Sequence, residues 1–312
     1  MNSKRFRIAL LLAAPPSPKR QRKNPNSEEI FDIVNVLPEM FLMGDITPIP
    51  SIALAAHAWT HSDRFQLARE IQRAAASYDG VVIAHPWRLL TLTSSFVALA
   101  LTGTKTPIVF MGPHPSDDEE GYVHKTPVAT TLGIRAYIMN VFHVVIYGHA
   151  DVMVIDGARV YQAVHVTTTT KGPTFTIEPY QAHSLGSIDV GFEMNTKEPS
   201  QASLPRIKEV PRTRVWRPVS ADDVFIADPR DQAVFVDLAR IGGPGAEHIK
   251  MLRALGIPIG FYGHKGNIQG MVRIPDMAPE SALAKFVLSA AVTHDRQKIQ
   301  ERILKNWRGE ML

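Results

Sequence analysis

The sequence predicts an α/β protein: a large N-terminal domain with a mainly parallel sheet, and a smaller C-terminal domain. Three observations carry this. Short apolar runs alternate with stretches of helical periodicity up to about Ile188. A polar segment rich in Pro, Lys, Arg and Ser, Gly191 to Asp222, then interrupts the pattern. The alternation resumes on a smaller scale from Asp223. The expected boundaries are residues 1–190, a linker over 191–222, and 223–312.

The first element is Ile8–Ala14, an apolar run bounded by prolines, expected as a strand buried on both faces. Ser62 to Ala76 places Phe65, Leu67, Ala68, Ile71 and Ala75 at helical spacing, with Ser62 as the expected N-cap. Tyr78-Asp79-Gly80 forms a turn into a short strand, Val81–Ala84. Thr91 to Thr102 reads as a helix and Pro107–Met111 as another buried strand. Gly133 to Phe142 reads as a helix, followed by Val144–Tyr147 as a strand. In the C-terminal part Ala233–Leu238 and Ile257–Tyr262 are expected strands. Ala246–Leu255 is a helix ended by Gly256, and Pro279 to Ala291 is a helix with Pro in its first turn.

Composition removes several classes of function. Cysteine is absent, which excludes disulfides, thiolate zinc sites and cysteine nucleophiles. No run of about eighteen apolar residues exists, so no membrane-spanning helix is expected. The net charge of +4 is too small to argue for a nucleic-acid partner. Lys4, Arg5, Arg7, Lys19, Arg20, Arg22 and Lys23 crowd the start without an acid, as a localisation signal or nucleic-acid arm would. A solvated loop after a strand is the simpler account. The same start mimics a secretory signal, but its apolar stretch sits at the lower limit for one.

Five ordered pieces carry a family resemblance. Tyr78-Asp79-Gly80-Val81-Val82-Ile83-Ala84-His85 resembles the strand that enters the active site of bacterial type-I L-asparaginases, typically YDGFVVTHGTDTM. Thr106-Pro107-Ile108-Val109-Phe110-Met111-Gly112 resembles the next strand, KPVVLTGAQ. Asp156-Gly157-Ala158-Arg159-Val160 is similar to a G-x-R segment, and Leu185-Gly186-Ser187-Ile188 to the L-G-x-I that closes the large domain. Asp276-Met277-Ala278-Pro279-Glu280 with the helix behind it resembles DMTPEAALVKL. The resemblance implies the family architecture, with a flavodoxin-like C-terminal domain. It also makes Arg7–Ala14 the first strand, against cleavage there. Gly242-Gly243-Pro244-Gly245 comes so close before Gly256 that the C-terminal domain is expected to be shortened by a βα unit.

The resemblance also implies where the chemistry lies, and there this sequence departs. Amide hydrolysis needs a nucleophile, a group to take its proton, and donors for the oxyanion. The family's Gly-rich TGGTI loop becomes Ala14-Pro15-Pro16-Ser17-Pro18, with Ser17 at the threonine position. Proline fixes φ and removes the backbone N–H, so this loop does not bend or donate as the glycines do. The T-D pair becomes Trp87-Arg88, a loss of hydroxyl and an inversion of charge. The relay lysine falls on Gln162, which does not titrate. His85 and His114 complete the expected pocket with Ser17, Trp87, Arg88 and Gln162. The substrate-binding S-x-D-M-T-P is not recognisable around Trp59-Thr60-His61-Ser62-Asp63.

Other signals are weaker. His57, His61, His85, His114, His143 and His149 invite a metal reading, but no HExxH spacing supports one, and no metal or cofactor is expected. Ser116-Asp117-Asp118-Glu119-Glu120 reads as a solvated loop, and Thr167–Thr170 as a loop or edge strand. The expected function is an asparaginase-like protein inactive towards asparagine, with a binding, regulatory or assembly role. The alternative is a diverged amidohydrolase acting on an altered amide through Ser17, His85 or His114, with Arg88 holding an anionic group. An ammonia-releasing amidotransferase subunit needs the same lost residues. The expected partners are a second copy in a homodimer and a small amide or amino-acid ligand, in the cytoplasm.

Overall fold

Strands covered by helices on both faces must be apolar at every position, and the central strands here obey that rule. The structure, a computed structural model, describes residues 5–13, 40–52, 59–101, 103–112, 131–171, 174–182, 185–188, 193–194, 207–220, 223–239 and 243–311. Five strands run parallel: β1 (Arg7–Leu12), β2 (Asp45–Pro50), β3 (Gly80–Ala84), β4 (Ile108–Met111) and β5 (Val152–Asp156). β6 (Arg159–Gln162) returns antiparallel beside β5. β7 (Val166–Lys171) and β8 (Thr174–Pro179) form a separate hairpin. β9 (Gly186–Ser187) and β10 (Glu193–Met194) then finish an eight-stranded sheet in the order β10-β9-β6-β5-β4-β3-β1-β2. The edge strand β2 carries Pro48 and Pro50, which only an edge tolerates.

Among the described residues four helices belong to this part: α1 (Met40–Met43), α2 (His61–Ser77), α3 (Leu90–Ala100) and α4 (Thr131–Tyr147). The two faces of β3 explain its unbroken apolar run. Val81 and Ile83 share a core with Leu67 and Ile71 of α2 and Phe96 and Val97 of α3. Val82 and Ala84 share another with Ile138, Val141, Phe142 and Val145 of α4.

Two local expectations are corrected. Val144–Tyr147 is not a strand but the last turn of α4. Its β-branched residues extend the spacing begun at Ile138 and Val141, and burial of that stripe outweighs their strand propensity. The helix lies so close to the sheet that a Cβ on Gly80 would stand 2.3 Å from Val145 Cγ1. The N-cap of α2 is Thr60 rather than Ser62. Thr60 Oγ1 accepts from the Asp63 N–H at 3.2 Å and Asp63 Oδ2 from the Thr60 N–H at 2.8 Å, a reciprocal capping box.

The second sheet has the order β11-β12-β13-β14, all parallel: β11 (Thr213–Trp216), β12 (Ala233–Asp237), β13 (Ile259–Tyr262) and β14 (Val272–Arg273). Helix α5 (Ala246–Ala254) joins β12 to β13, and α6 (Pro279–Ala290) and α7 (Arg296–Ile303) follow. β11 falls inside the segment expected to be linker. Its arginines look like solvated chain in sequence, but at this sheet edge Arg214 pairs with the nearly buried Asp231 and Arg212 reaches Asp228 at 2.7 Å. Backbone pairing with β12 supplies the rest.

Helix α6 is buried from Ser281 to Ala290 and packs along α3 of the large part. The chain end ties this junction. Arg308 is fully buried; its Nη1 donates to Ala98 O at 2.9 Å, and its Nη2 lies 2.8 Å from Asp151 Oδ1. Lys285 of α6 forms a buried ion pair with Glu310 and donates to Lys305 O at 2.6 Å. Glu310 also accepts the backbone N–H of Arg308 at 2.7 Å and of Trp307 at 3.1 Å. Removing one member of a buried pair strands the other charge, at about 3–5 kcal/mol. Arg308→Met should destabilise by that amount in urea unfolding. Adding Asp151→Asn should recover part of the loss; a double variant no more stable than Arg308→Met would refute the pairing.

Candidate functional site

Parallel strands present their carboxyl ends together, and that edge is where such sheets bind ligands. Ala13 tops β1, its N–H donating to Ala84 O at 2.8 Å. His85 tops β3 and donates its N–H to Met111 O at 2.9 Å, which sets it level with Gly112. Continuing the β4–β5 register sets Gly112 level with Asp156. Burial, opposed by Arg159, pushes the Asp156 carboxyl up to about 6.

A single 3-10 turn, Trp87–Leu89, links β3 to α3. Trp87 is buried and Arg88 exposed. The Trp87 indole lies against the backbone above β4: a Cβ on Gly112 would stand 2.1 Å from Trp87 Cε3. Gly112 therefore serves as the seat for the indole.

The amino end of α2 closes the other side. Arg64 is 4% exposed, and its Nε donates to Thr93 Oγ1 of α3 at 3.3 Å. His61, one turn earlier, stacks on Phe96 of α3 with ring centroids 6.1 Å apart. His85 is fully buried, with its ring 4.7 Å from Trp59 and its Nδ1 3.2 Å from Pro86 O. Burial, reinforced by the Arg64 charge and opposed at His85 by the Pro86 carbonyl, lowers both imidazoles to about 3. Both rings are therefore neutral at pH 7. Among the described residues neither His61 Nδ1 nor His85 Nε2 has a hydrogen-bond partner.

The described residues expected to form one pocket fall in two places. Trp87, Arg88 and His85 adjoin. Gln162 does not join them: the β5–β6 hairpin turns at Gly157, with φ +61°, and returns the chain to the amino edge of the sheet. There Gln162 Nε2 donates to Asp151 Oδ2 at 2.8 Å and so supports the buried Arg308 pair. Ser17 and His114 lie outside the described residues, as does His57. Among the described residues no three His, Asp or Glu side chains gather as metal ligands.

A hydroxyl and carboxylate cluster stands beside the first turn of α3 instead. Thr91 Oγ1 and Thr168 Oγ1 are 2.7 Å apart. Glu280 Oε1, from α6, accepts from the Thr168 N–H at 2.9 Å, Thr167 Oγ1 at 3.2 Å and Thr91 Oγ1 at 3.4 Å. Burial raises the Glu280 carboxyl above its usual range, against these donors. The run Thr167–Thr170 was a visible signal, but only the fold shows that it meets Glu280.

A model of the asparaginase N-terminal domain matches residues 13–200, more than half of the chain. The chain belongs to the asparaginase family. No protein of curated function matches it by sequence. Its fold is that of several solved asparaginases. The thermostable L-asparaginase from Thermococcus kodakarensis superposes with a TM-score of 0.73 at 14% identity, over 98% of this chain and 99% of that one. L-asparaginase I from Vibrio cholerae gives 0.73 at 15% identity, over 99% of both chains. A probable cytoplasmic L-asparaginase from Campylobacter jejuni gives 0.71 at 18% identity, over 96% of this chain and 100% of that one. The asparaginase-like α/β fold, with its large mainly parallel sheet, is thus shown, while such low identity leaves chemistry to the site itself.

The two imidazoles set a pH dependence. Their folded values lie below the unfolded value of 6.5, so stability is complete above pH 6.5 and falls as pH drops towards about 3. Urea midpoints measured across that window should fall less steeply for His61→Phe with His85→Phe than for the parent. An unchanged acid limb would show that the rings are not held neutral.

Proposed function

We propose that this asparaginase-family chain is a binding protein that does not hydrolyse asparagine, with a regulatory or assembly role. The buried Trp87 indole seated on Gly112 carries the reading. Nucleophile, proton acceptor and oxyanion donors act as a unit, so losing one member removes most of the rate. Arg88 beside Trp87 further places a permanent cation where the family resemblance puts an acid. The ligand class is a small amide or amino acid. A homodimer in the cytoplasm completes the reading on family resemblance alone; a single 34.6 kDa species in light scattering would contradict the dimer.

One observation favours a second reading, a diverged amidohydrolase with an altered amide substrate. The Thr91 and Thr168 hydroxyls at 2.7 Å, with the Glu280 carboxylate accepting from both residues, form a set able to deprotonate a hydroxyl. Ammonia release from L-asparagine and L-glutamine decides between them. The purified protein should stay at background with both. Turnover abolished by Ser17→Ala or Thr91→Val would overturn the binding reading and promote the second.

A further inference from the structure

Arg64 occupies a position that helical spacing reserves for apolar residues. The buried face of α2 runs Arg64, Leu67, Ala68, Ile71 and Ala74. A guanidinium placed there loses most of its water, and buried charges are normally compensated by an opposite charge. Here the compensation is incomplete. Among the described residues the one hydrogen bond of Arg64 goes to a neutral hydroxyl, Thr93 Oγ1 at 3.3 Å, and no carboxylate lies within ion-pair distance. Asp63, its sequence neighbour, acts on Arg64 only through its charge, since its Oδ2 closes the capping box with Thr60. Desolvation, opposed by the Asp63 charge, lowers the arginine to about 10.

The surroundings match this deficit. His61 Nδ1 and His85 Nε2 are buried ring nitrogens without hydrogen-bond partners among the described residues, and the Arg64 charge reaches both rings. A neutral imidazole presents either a donor or an acceptor, so each ring has an unused polar atom beside the cation. All three side chains stand at the carboxyl edge of the sheet, between the first turns of α2 and α3. Buried polar groups left open in this way ask for a polar occupant.

We propose that Arg64, flanked by His61 and His85, binds the anionic oxygens of a small ligand, a carboxylate or a phosphate group. The planar guanidinium gives its remaining N–H donors to two oxygens as a fork. A ring N–H of His61 or His85 serves a third contact, with the tautomer set by the ligand. The exposed Arg88, which the sequence offers for this task, is not needed. The inference deepens the binding reading by naming the charge of the ligand, and it fails separately: hydrolysis would overturn that reading and leave this site intact.

The test is calorimetric titration of the full chain with succinate and, separately, inorganic phosphate at constant ionic strength. One or both should bind saturably; which of them does distinguishes carboxylate from phosphate. Charge-assisted hydrogen bonds are worth about 1.5–3 kcal/mol, so Arg64→Gln should weaken binding about tenfold to a hundredfold. Arg73→Gln, on the exposed side of the same helix, removes an equal charge and should leave affinity unchanged. Arg64→Lys, which keeps the charge without the fork, should fall between and guards against loss of fold. Histidine ring signals in nuclear magnetic resonance should move on saturation in the parent and not in Arg64→Gln. Absence of binding by both probes, or equal affinity in the parent and Arg64→Gln, would overturn the proposal.

Discussion

The buried charges at the chain end hold the rest of the structure in place. Arg308 and Asp151 join the tail to the amino edge of the large sheet, and Lys285 and Glu310 join it to α6. Neither pair is a source of large net stability, because desolvation offsets most of the attraction. Burial pushes the Asp151 carboxyl up and the Lys285 amine down, each opposed by its partner. Gln162, with its amide on Asp151, belongs to this network. The network lies at the edge of the sheet away from the crevice, so the crevice is free to change without disturbing what locks the two parts together.

The crevice gathers groups of one kind. The Trp87 ring is seated on Gly112, Arg64 is a buried cation without an ion-pair partner among the described residues, and two imidazoles are held neutral. Such groups recognise and retain; they do not by themselves form and release a covalent intermediate. The threonines and Glu280 are the exception, and their geometry also serves a structural end. Glu280 comes from α6, so its three hydrogen bonds fasten that helix to β7 and α3.

Much of the fold was legible because its signals are local. Ile8–Leu12, Val81–Ala84 and Ile108–Met111 are short apolar runs between breakers, and all three are central strands. Val144–Tyr147 misled because β-branched residues suit a strand, and only packing against the sheet decides for helix. Thr60 was missed as a cap because Ser62 stood nearer the first apolar residue. The candidate site was less legible, since it is made by long-range register. Trp87 and His85 adjoin in sequence and in space. Gln162 was grouped with them by resemblance, yet a hairpin carries it to the other edge. Arg64 left a signal that spacing could have found, a charged residue in phase with Leu67, Ala68 and Ile71.

The central claim is that the indole of Trp87 packs into the space above Gly112, the contact on which the proposed binding role rests. A double-mutant cycle between the two residues measures this contact directly. Gly112→Ala should cost about 1–3 kcal/mol in the parent, where the new methyl meets the ring, as overpacked sites do. In a Trp87→Ala background the same change should cost little or nothing. Equal cost in both backgrounds would contradict the account, because the indole would then lie elsewhere and the crevice would be open.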